Sequence, residues 1–162
     1  MANVSSLPSG GLVLVRVILG GIASSTGWNW AANSGLTGGQ VRSTVRHHLD
    51  DLSAPFRFWG DRILLYNPDG LATLVSWGVL IAGVCLLLGA LTRPAGWFLA
   101  FLGLHLYGYG ADEYSSFALL LMAAGAGCAI SRAGRRFGLD IALDGSLPVW
   151  LTWVPGRRDF LS

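Results

Sequence analysis

Few residues of this sequence could do chemistry in an apolar environment, and Arg16 and His105 stand out because each lies within a long apolar stretch. Arginine stays protonated in proteins, and a charge at the centre of a membrane-spanning helix costs about 2.5–3.5 kcal/mol on insertion scales. Arg16 therefore needs a partner, and we expect an ion pair with Asp140 that ties the first apolar segment to the region after the last one. Contact with a substrate or a quinone is the alternative role for Arg16.

His105 is the only histidine within an apolar segment. A haem held by two axial histidines would need a second one on a facing helix. The pattern favours a neutral histidine that is hydrogen-bonded to a neighbouring helix. Two alternatives stay open: a single axial ligand to a haem or pigment, and a hydrogen bond to a quinone carbonyl.

The remaining candidate groups favour structure over chemistry. His47 and His48 precede Asp50 and Asp51 at helical spacing, but no third ligand lies nearby, so a solvated helix face is favoured over a weak metal site. Cys85 and Cys128 have no CxxC spacing and are expected to be small apolar fillers rather than a redox pair. We predict no metal site and no cofactor that the chain holds alone.

The composition shows which elements must position these residues. The chain of 162 residues is 52% hydrophobic and only 12% charged, about half the charged fraction that is typical of soluble domains. Its few charges are grouped, and the apolar gaps between the groups are long enough to cross a bilayer. We predict an all-α integral membrane bundle with four spans, at about 10–26, 71–91, 95–111 and 114–130. A net charge of +2 without a basic stripe argues against nucleic-acid binding.

Arginine placement predicts the orientation of this bundle. The link between spans two and three and the region after span four are rich in arginine, whereas the link between spans three and four carries Asp112 and Glu113. By the positive-inside rule, both termini are expected to be cytoplasmic. The arginines on the inner side are Arg93, Arg132, Arg135, Arg136, Arg157 and Arg158.

The connection between spans one and two, residues 27–70, is too long to be a simple linker. Thr37 and Gln40 have the spacing of a capping box, which predicts an amphipathic helix reaching to about Leu52. An aromatic segment over 56–59 suggests interfacial placement, and the turn residues at 67–70 lead into span two. We expect a periplasmic cap over the bundle.

Residues 1–145 thus form the predicted membrane domain, and residues 146–162 form a cytoplasmic tail at the membrane surface. Its tryptophans suit headgroup depth, and its arginines suit anionic lipid. Docking on a partner subunit through Trp150, Trp153, Arg157 and Arg158 is the sharper alternative.

The stretch GVCLLLGALTR, residues 83–93, resembles the DoxX family of small four-helix bacterial membrane proteins. Similar features are the Arg16 and Leu19-Gly20 pattern, the Gly27-Trp28-Asn29 end of span one, and the 134–140 segment GRRFGLD. The resemblance implies a four-helix membrane fold and an association with membrane redox systems. Some relatives are subunits of thiosulfate:quinone oxidoreductase.

Two ionisable positions of the family pattern are replaced by Val79 and Trp30 here. The favoured hypothesis is therefore a non-catalytic accessory subunit of a larger membrane energy-converting complex, respiratory or photosynthetic, that stabilises assembly or a quinone or lipid environment. Its partners would be the lipid bilayer and other integral membrane subunits, with contact to quinone, lipid, pigment or haem. The alternative is a quinone-linked oxidoreductase subunit, and a small-solute carrier is a weaker third hypothesis.

Overall fold

A computed structural model of the chain describes residues 9–33, 35–49, 54–109 and 115–130. Within these ranges the protein is entirely helical, without strands. The helices are α1 (Ser9–Ala32), α2 (Gly38–His48), α3 (Ala54–Trp59) with a π-helical turn (Gly60–Leu64), α4 (Pro68–Leu88), α5 (Thr92–Tyr109) and α6 (Ser115–Ile130). The four long helices α1, α4, α5 and α6 form a bundle, and α2 and α3 form the cap between the first two of them.

Local capping chemistry sets several helix ends. The Thr37 hydroxyl accepts from the Gln40 backbone N–H at 3.3 Å, and the Gln40 side chain accepts from the Thr37 N–H at 2.9 Å. This confirms the predicted capping box at the start of α2. Asn67 caps α4 by accepting from the Gly70 N–H, and Pro68 occupies the first turn. α4 ends where Gly89 adopts a left-handed φ of 68°.

The helices α1 and α4 pack so closely that their backbones touch. A Cβ added at Gly20 would lie 2.8 Å from the Leu87 backbone nitrogen, and one at Gly83 or Gly27 would overlap the Ser24 or Leu80 backbone. Close backbone approach at small residues is the usual means of association between helices in lipid. We call this glycine-lined contact the first seam.

The helices α5 and α6 repeat the same packing register, in what we call the second seam. A Cβ at Gly96 would lie 2.8 Å from the Ala129 nitrogen, and one at Gly125 would lie 2.8 Å from the Ala100 nitrogen. A Cβ added at Gly103 would lie 2.7 Å from the Met122 nitrogen, as one added at Gly27 would meet the Leu80 nitrogen in the first seam. Each seam thus pairs two glycines of the first helix with one glycine of the second. The bundle consists of two similarly packed antiparallel helix pairs.

The two pairs join through contacts of α4 with α5 and of α1 with α6. Leu86 and Leu99, both with 0% exposure, lie at the centre of the shared core. Other members of this core come from all four long helices: Leu19, Ala23, Val79, Ala82, Ala95, Leu121 and Cys128. The outer faces of the same helices carry exposed large apolar side chains.

The described helix bounds correct the predicted spans. α1 continues to Ala32, six residues past the predicted end of span one, so Trp28 and Trp30 lie within the helix. α4 begins three residues earlier than span two and ends at Leu88 rather than at Leu91. Hydropathy marks the apolar part of a helix, whereas the ends depend on caps and backbone hydrogen bonds. α6 agrees closely with predicted span four.

Among the described residues, α4 is the one helix that is both long enough and apolar enough to pass a standard test for a membrane span. Its best 18-residue window has a mean hydropathy of 2.4, and only 33% of that window is buried inside the protein. α6 is strongly apolar but shorter, with residues 116–130 identified as an apolar helix. The described residues therefore form a helical bundle in which α4 is long and apolar enough to cross a membrane.

The cap packs on the start of α4 and the end of α5 through a second apolar cluster. Val45 of α2, Leu64 of the π-helical turn and Tyr109 of α5 are its buried members. Gly38 allows the start of α2 to lie against Asp69 at the start of α4. Predicted helix α2 is confirmed as far as His48, with Leu49 as its C-cap, and residues 50–53 lie outside the described ranges.

Candidate functional site

The junction between the cap and α5 brings together polar and aromatic groups that are distant in the sequence. The Tyr109 hydroxyl donates to the Phe56 backbone carbonyl, and the two rings meet edge to face at 5.8 Å. Gly108 leaves the space that the Phe56 ring occupies, and Gly60 leaves space for the Tyr109 ring. Two glycines and one hydrogen bond therefore hold α3 against the end of α5.

His105 lies one turn before Tyr109 in this junction and is surrounded by aromatic rings. Its ring centroid lies 4.1 Å from that of Phe101, 5.8 Å from Trp59 and 6.1 Å from Phe56. Tyr109 stacks on it at 6.2 Å. The side chain is half-buried. We call this group of five residues the junction cluster.

The hydrogen bond of His105 determines which ring nitrogen carries the proton. Nδ1 lies 2.9 Å from the Phe101 backbone carbonyl, and a carbonyl oxygen can only accept. Nδ1 is therefore the donor, and in the neutral imidazole Nε2 carries a lone pair. The partner of Nδ1 lies on the same helix rather than on a neighbouring helix, contrary to the favoured prediction.

Trp59 contributes an unsatisfied donor to the junction cluster. Its indole Nε1 is buried and has no hydrogen-bond partner among the described residues. A buried N–H without a partner destabilises a protein by about 1–3 kcal/mol, so such groups are rare and call for an explanation. The junction cluster thus combines one unsatisfied donor with one histidine lone pair.

Arg16, the other candidate residue from the sequence, lies inside the bundle. Its side chain is only 2% exposed, the lowest exposure of the buried polar residues, which also include Ser76 and Thr92. Its charge acts on the Cys128 thiol of α6, so α1 and α6 bring these two side chains close together. The two cysteines of the chain differ in burial, since Cys85 is half-buried and Cys128 is buried.

The structure does not bring Arg16 and His105 together in one described cluster. His105 is part of the cap junction near the end of α5, whereas Arg16 lies in the first half of α1, near Cys128 of α6. Because α1 and α5 run in the same direction across the bundle, these positions lie toward opposite ends of it. A single site that uses both residues is not supported by this arrangement.

Metal-ligand geometry is not found among the described residues. No group of three or more histidine, cysteine, aspartate or glutamate side chains converges there. His47 and His48 meet edge to face at 5.0 Å, and Nδ1 of His48 bonds to the Thr44 carbonyl.

Several predicted residues lie outside the described ranges, so their contacts stay predictions. These are Asp140, the proposed partner of Arg16, and the tail residues Trp150, Trp153, Arg157 and Arg158. Asp50 and Asp51, next to the histidines of α2, also lie outside.

The role of Trp59 was missed by sequence reasoning. The aromatic segment 56–59 was visible as a cluster that would lie at an interface. No sequence pattern shows, however, that it folds back onto His105 and Tyr109, about fifty residues further along the chain. The contact depends on Gly60 leaving space for the Tyr109 ring and on Gly108 leaving space for the Phe56 ring. These pairs are far apart in the sequence, so they become visible only in the folded structure.

Comparison with known proteins adds no family to this description. A scan of the chain against protein-family models gives no match, and searches of curated proteins and of solved structures give none either.

Proposed function

We propose that this protein is a multi-pass protein of the bacterial inner membrane and acts as a non-catalytic accessory subunit of a larger energy-converting complex, respiratory or photosynthetic. In this role its bundle packs against other membrane subunits and stabilises the assembly or its quinone or lipid environment. The observation that carries the proposal is the apolar outer surface of all four long helices.

That outer surface has the composition of a lipid-facing belt. Soluble monomers rarely expose contiguous apolar patches larger than a few hundred Å². Here, large apolar side chains that are 39–67% exposed occur on every long helix. Examples are Leu14, Ile18 and Ile22 of α1, Leu74, Ile81 and Leu88 of α4, Phe101 and Leu104 of α5, and Leu120 and Ile130 of α6.

The lengths of three of the four long helices agree with this placement. At 1.5 Å per residue, the 24 residues of α1 extend about 36 Å and the 21 residues of α4 about 32 Å. A bilayer has a hydrocarbon core about 30 Å thick. α5, with 18 residues, is about 27 Å long and fits with little tilt. With both termini cytoplasmic, Arg93 lies on the inner side and the cap on the periplasmic side.

Two outward stripes of small residues support the accessory role. A Cβ added at Gly21 or Gly127 would meet nothing within 4 Å, and the neighbouring small residues Ser25 and Ala123 are exposed. Small residues at four-residue spacing are typical of helix–helix contacts in membranes. On these two helices the seams use Gly20, Gly27 and Gly125 instead, so the outward stripes are left for neighbouring subunits.

A quinone-linked oxidoreductase subunit is the second candidate. The resemblance to the DoxX family favours it, and the junction cluster adds a specific observation: a histidine lone pair and an unsatisfied indole N–H lie among aromatic rings. None of the five residues of the junction cluster is acidic, which favours the accessory role over chemistry performed by this chain alone.

The proposed function is tested by gentle solubilisation of the membrane and isolation of the tagged chain under native conditions. We expect the chain to migrate in a stoichiometric complex with other integral membrane proteins. Gly21→Leu and Gly127→Leu should lower the recovery of these partners at least tenfold, because the added side chains occupy the outward stripes.

Gly11→Leu is the matched control, since a Cβ there also meets nothing within 4 Å but its α1 neighbour one turn on is the bulky Val15. All three variants should keep the helical circular dichroism of the unmodified chain and should melt no lower than it does, because leucine favours the helix more than glycine does. A chain that is monomeric in the membrane extract, or stripe variants that recover partners as well as Gly11→Leu does, would contradict the accessory role. Quinone-dependent oxidation of thiosulfate by the isolated chain would favour the second candidate.

A further inference from the structure

We propose that a cleft on the surface of the cap binds the headgroup of phosphatidylethanolamine, a phospholipid that carries both a phosphate and an ammonium group. Arg57 and Arg62 hold the phosphate, and Asp61 holds the ammonium. This inference rests on the proposed membrane placement of the chain, and it names the lipid chemistry that the cap recognises there.

The cleft lies where the end of α2 meets α3 and the π-helical turn. Its volume is about 620 Å³, within the range of about 300–1,000 Å³ that is usual for ligand sites. Arg57, Asp61 and Arg62 are all exposed, so a ligand can reach them without displacing the core. The described residues that line the cleft are Leu49, Ala54, Arg57, Phe58, Asp61 and Arg62.

The π-helical turn accounts for two arginines five residues apart in one cleft. In a regular α-helix, residues five apart lie about 140° apart around the axis and about 7.5 Å apart along it. The π turn closes with a hydrogen bond from the Leu65 N–H to the Gly60 carbonyl at 3.0 Å. The additional residue in this turn lowers the angle between Arg57 and Arg62, and such turns are frequent at functional sites. Two long arginine side chains can bridge the remaining separation and hold one phosphate.

Arg57 is oriented by a contact across the cleft. Its Nε–H donates to the Leu49 backbone carbonyl at 3.1 Å, which ties α3 to the C-terminal end of α2. A guanidinium presents five N–H donors in a planar fork that matches the oxygens of a phosphate. Because one donor already fixes the side chain, less rotamer entropy is lost when the fork binds a phosphate.

Asp61 determines which phospholipid suits the cleft. Its carboxylate lines the same cleft as the two arginines, and it repels a headgroup that carries negative charge alone. A choline headgroup offers a cation without N–H donors, so it cannot hydrogen-bond to the carboxylate. An ethanolamine headgroup offers an ammonium with three N–H donors next to its phosphate. The mixed charge of the cleft therefore favours phosphatidylethanolamine over phosphatidylglycerol and phosphatidylcholine.

The surroundings of the cleft suit the depth of lipid headgroups. Phe58 lines the cleft and is 65% exposed, and Ile63 and Tyr66 of the same segment are 43% and 89% exposed. Exposed aromatic and aliphatic side chains next to arginines are typical of segments that lie in the membrane interface. The same segment contacts the end of α5 through the junction cluster, where that helix reaches the cap.

The test is native mass spectrometry of the full chain purified in a maltoside detergent, with the three phospholipids carrying identical acyl chains. We expect phosphatidylethanolamine to bind about fivefold more tightly than either of the others, because it alone pairs with all three charged side chains. Equal affinities would overturn the proposal. Glycerophosphoethanolamine should displace the lipid better than inorganic phosphate does, and equal displacement would assign the cleft to free phosphate instead.

Two substitutions at exposed side chains separate the two charges of the headgroup. Arg62→Gln should weaken phosphatidylethanolamine binding about tenfold, because it removes a charge-assisted hydrogen bond to the phosphate. Asp61→Asn should remove the preference over phosphatidylglycerol. Arg42→Gln is the matched control, since Arg42 is an exposed arginine of α2 outside the described lining of the cleft. Equal losses in Arg62→Gln and Arg42→Gln, or a preference that survives Asp61→Asn, would overturn the proposal.

The fold of each variant is checked by its circular dichroism and melting temperature. Arg62→Lys keeps the charge without the planar fork and should weaken binding less than Arg62→Gln does; the reverse order would count against the phosphate contact. Co-flotation with phosphatidylcholine vesicles tests the membrane placement separately. A chain that floats but shows no headgroup preference overturns this inference alone, whereas a chain that does not float overturns the membrane placement and this inference with it.

Discussion

The second seam gives the sharpest quantitative prediction, through two glycines that are one half-turn apart on α6. At Gly125 an added Cβ would lie 2.8 Å from the Ala100 nitrogen and 2.8 Å from the Gly96 oxygen, both of them backbone atoms that no side-chain rotation can move. At Gly127 an added Cβ would meet nothing within 4 Å. The two glycines are therefore a matched pair for Gly→Ala substitution.

The expected magnitude follows from that difference in surroundings. Both substitutions gain the same helix propensity, about 1 kcal/mol in favour of alanine in water. Gly125→Ala must also push α5 and α6 apart, and such overpacking costs about 1–3 kcal/mol. The free energy of unfolding of Gly125→Ala should therefore be about 1–3 kcal/mol lower than that of Gly127→Ala.

The assay is equilibrium unfolding of the purified protein in mixed micelles, followed by circular dichroism. Gly83→Ala and Gly21→Ala form the equivalent pair in the first seam, where a Cβ at Gly83 would overlap the Ser24 backbone and one at Gly21 meets nothing within 4 Å. They should show the same order. A Gly125→Ala protein as stable as Gly127→Ala would refute the packing register of the second seam.

Three further predictions concern the contact between α3 and α5, the start of α4 and the buried arginine. Tyr109→Phe should lose the hydrogen bond to the Phe56 carbonyl, which contributes about 1 kcal/mol to stability. Amide hydrogen exchange should then become faster in α3 but not in α4, and unchanged exchange rates in α3 would argue against this anchor. Asn67→Ala should destabilise the chain by about 1 kcal/mol through loss of the α4 N-cap, as measured by thermal unfolding, whereas an unchanged midpoint would show that Pro68 alone starts the helix. A double-mutant cycle of Arg16→Met with Asp140→Asn should give a coupling energy above about 0.5 kcal/mol if the two residues form the predicted ion pair; additive effects would exclude the pair.

Local sequence signals predicted the parts of the fold that depend on neighbouring residues. Thr37 with Gln40 marked the start of α2, because a cap is made by side chains within one turn of the helix end. Residues 67–70 were expected to form a turn before span two, whereas Pro68 already begins α4 and Asn67 is its N-cap. The end of α1 was placed too early. Trp28 and Asn29 lower the hydropathy, but the backbone ladder continues, and the Asn33 N–H still donates to the Asn29 carbonyl.

The spacing of small residues only partly predicts which face of a helix contacts another helix. Gly20 and Ser24 lie in the first seam, whereas Gly21 and Gly127, with the same four-residue spacing to a small residue, face outward. Spacing alone cannot decide between two adjacent stripes on an apolar helix, because no polar face marks the outside. The register is determined by the partner helix.

The junction cluster shows why the candidate site could be predicted only in part. His105 was identified because it is a rare polar group in an apolar stretch. Trp59 was not identified, because its importance depends on a missing hydrogen-bond partner and on a long-range contact that two glycines allow. Such contacts depend on shape rather than on residue type.

Placement of the bundle in the membrane is the central claim, and accessibility of single cysteines tests it most directly. In a chain with Cys85→Ala and Cys128→Ala, Gly39→Cys reports on the exposed start of the cap, and Pro94→Cys reports on the exposed start of α5. A membrane-impermeant maleimide should label Gly39→Cys in spheroplasts and Pro94→Cys only after lysis. Labelling of both positions in spheroplasts, or of neither before lysis, would contradict the proposed topology.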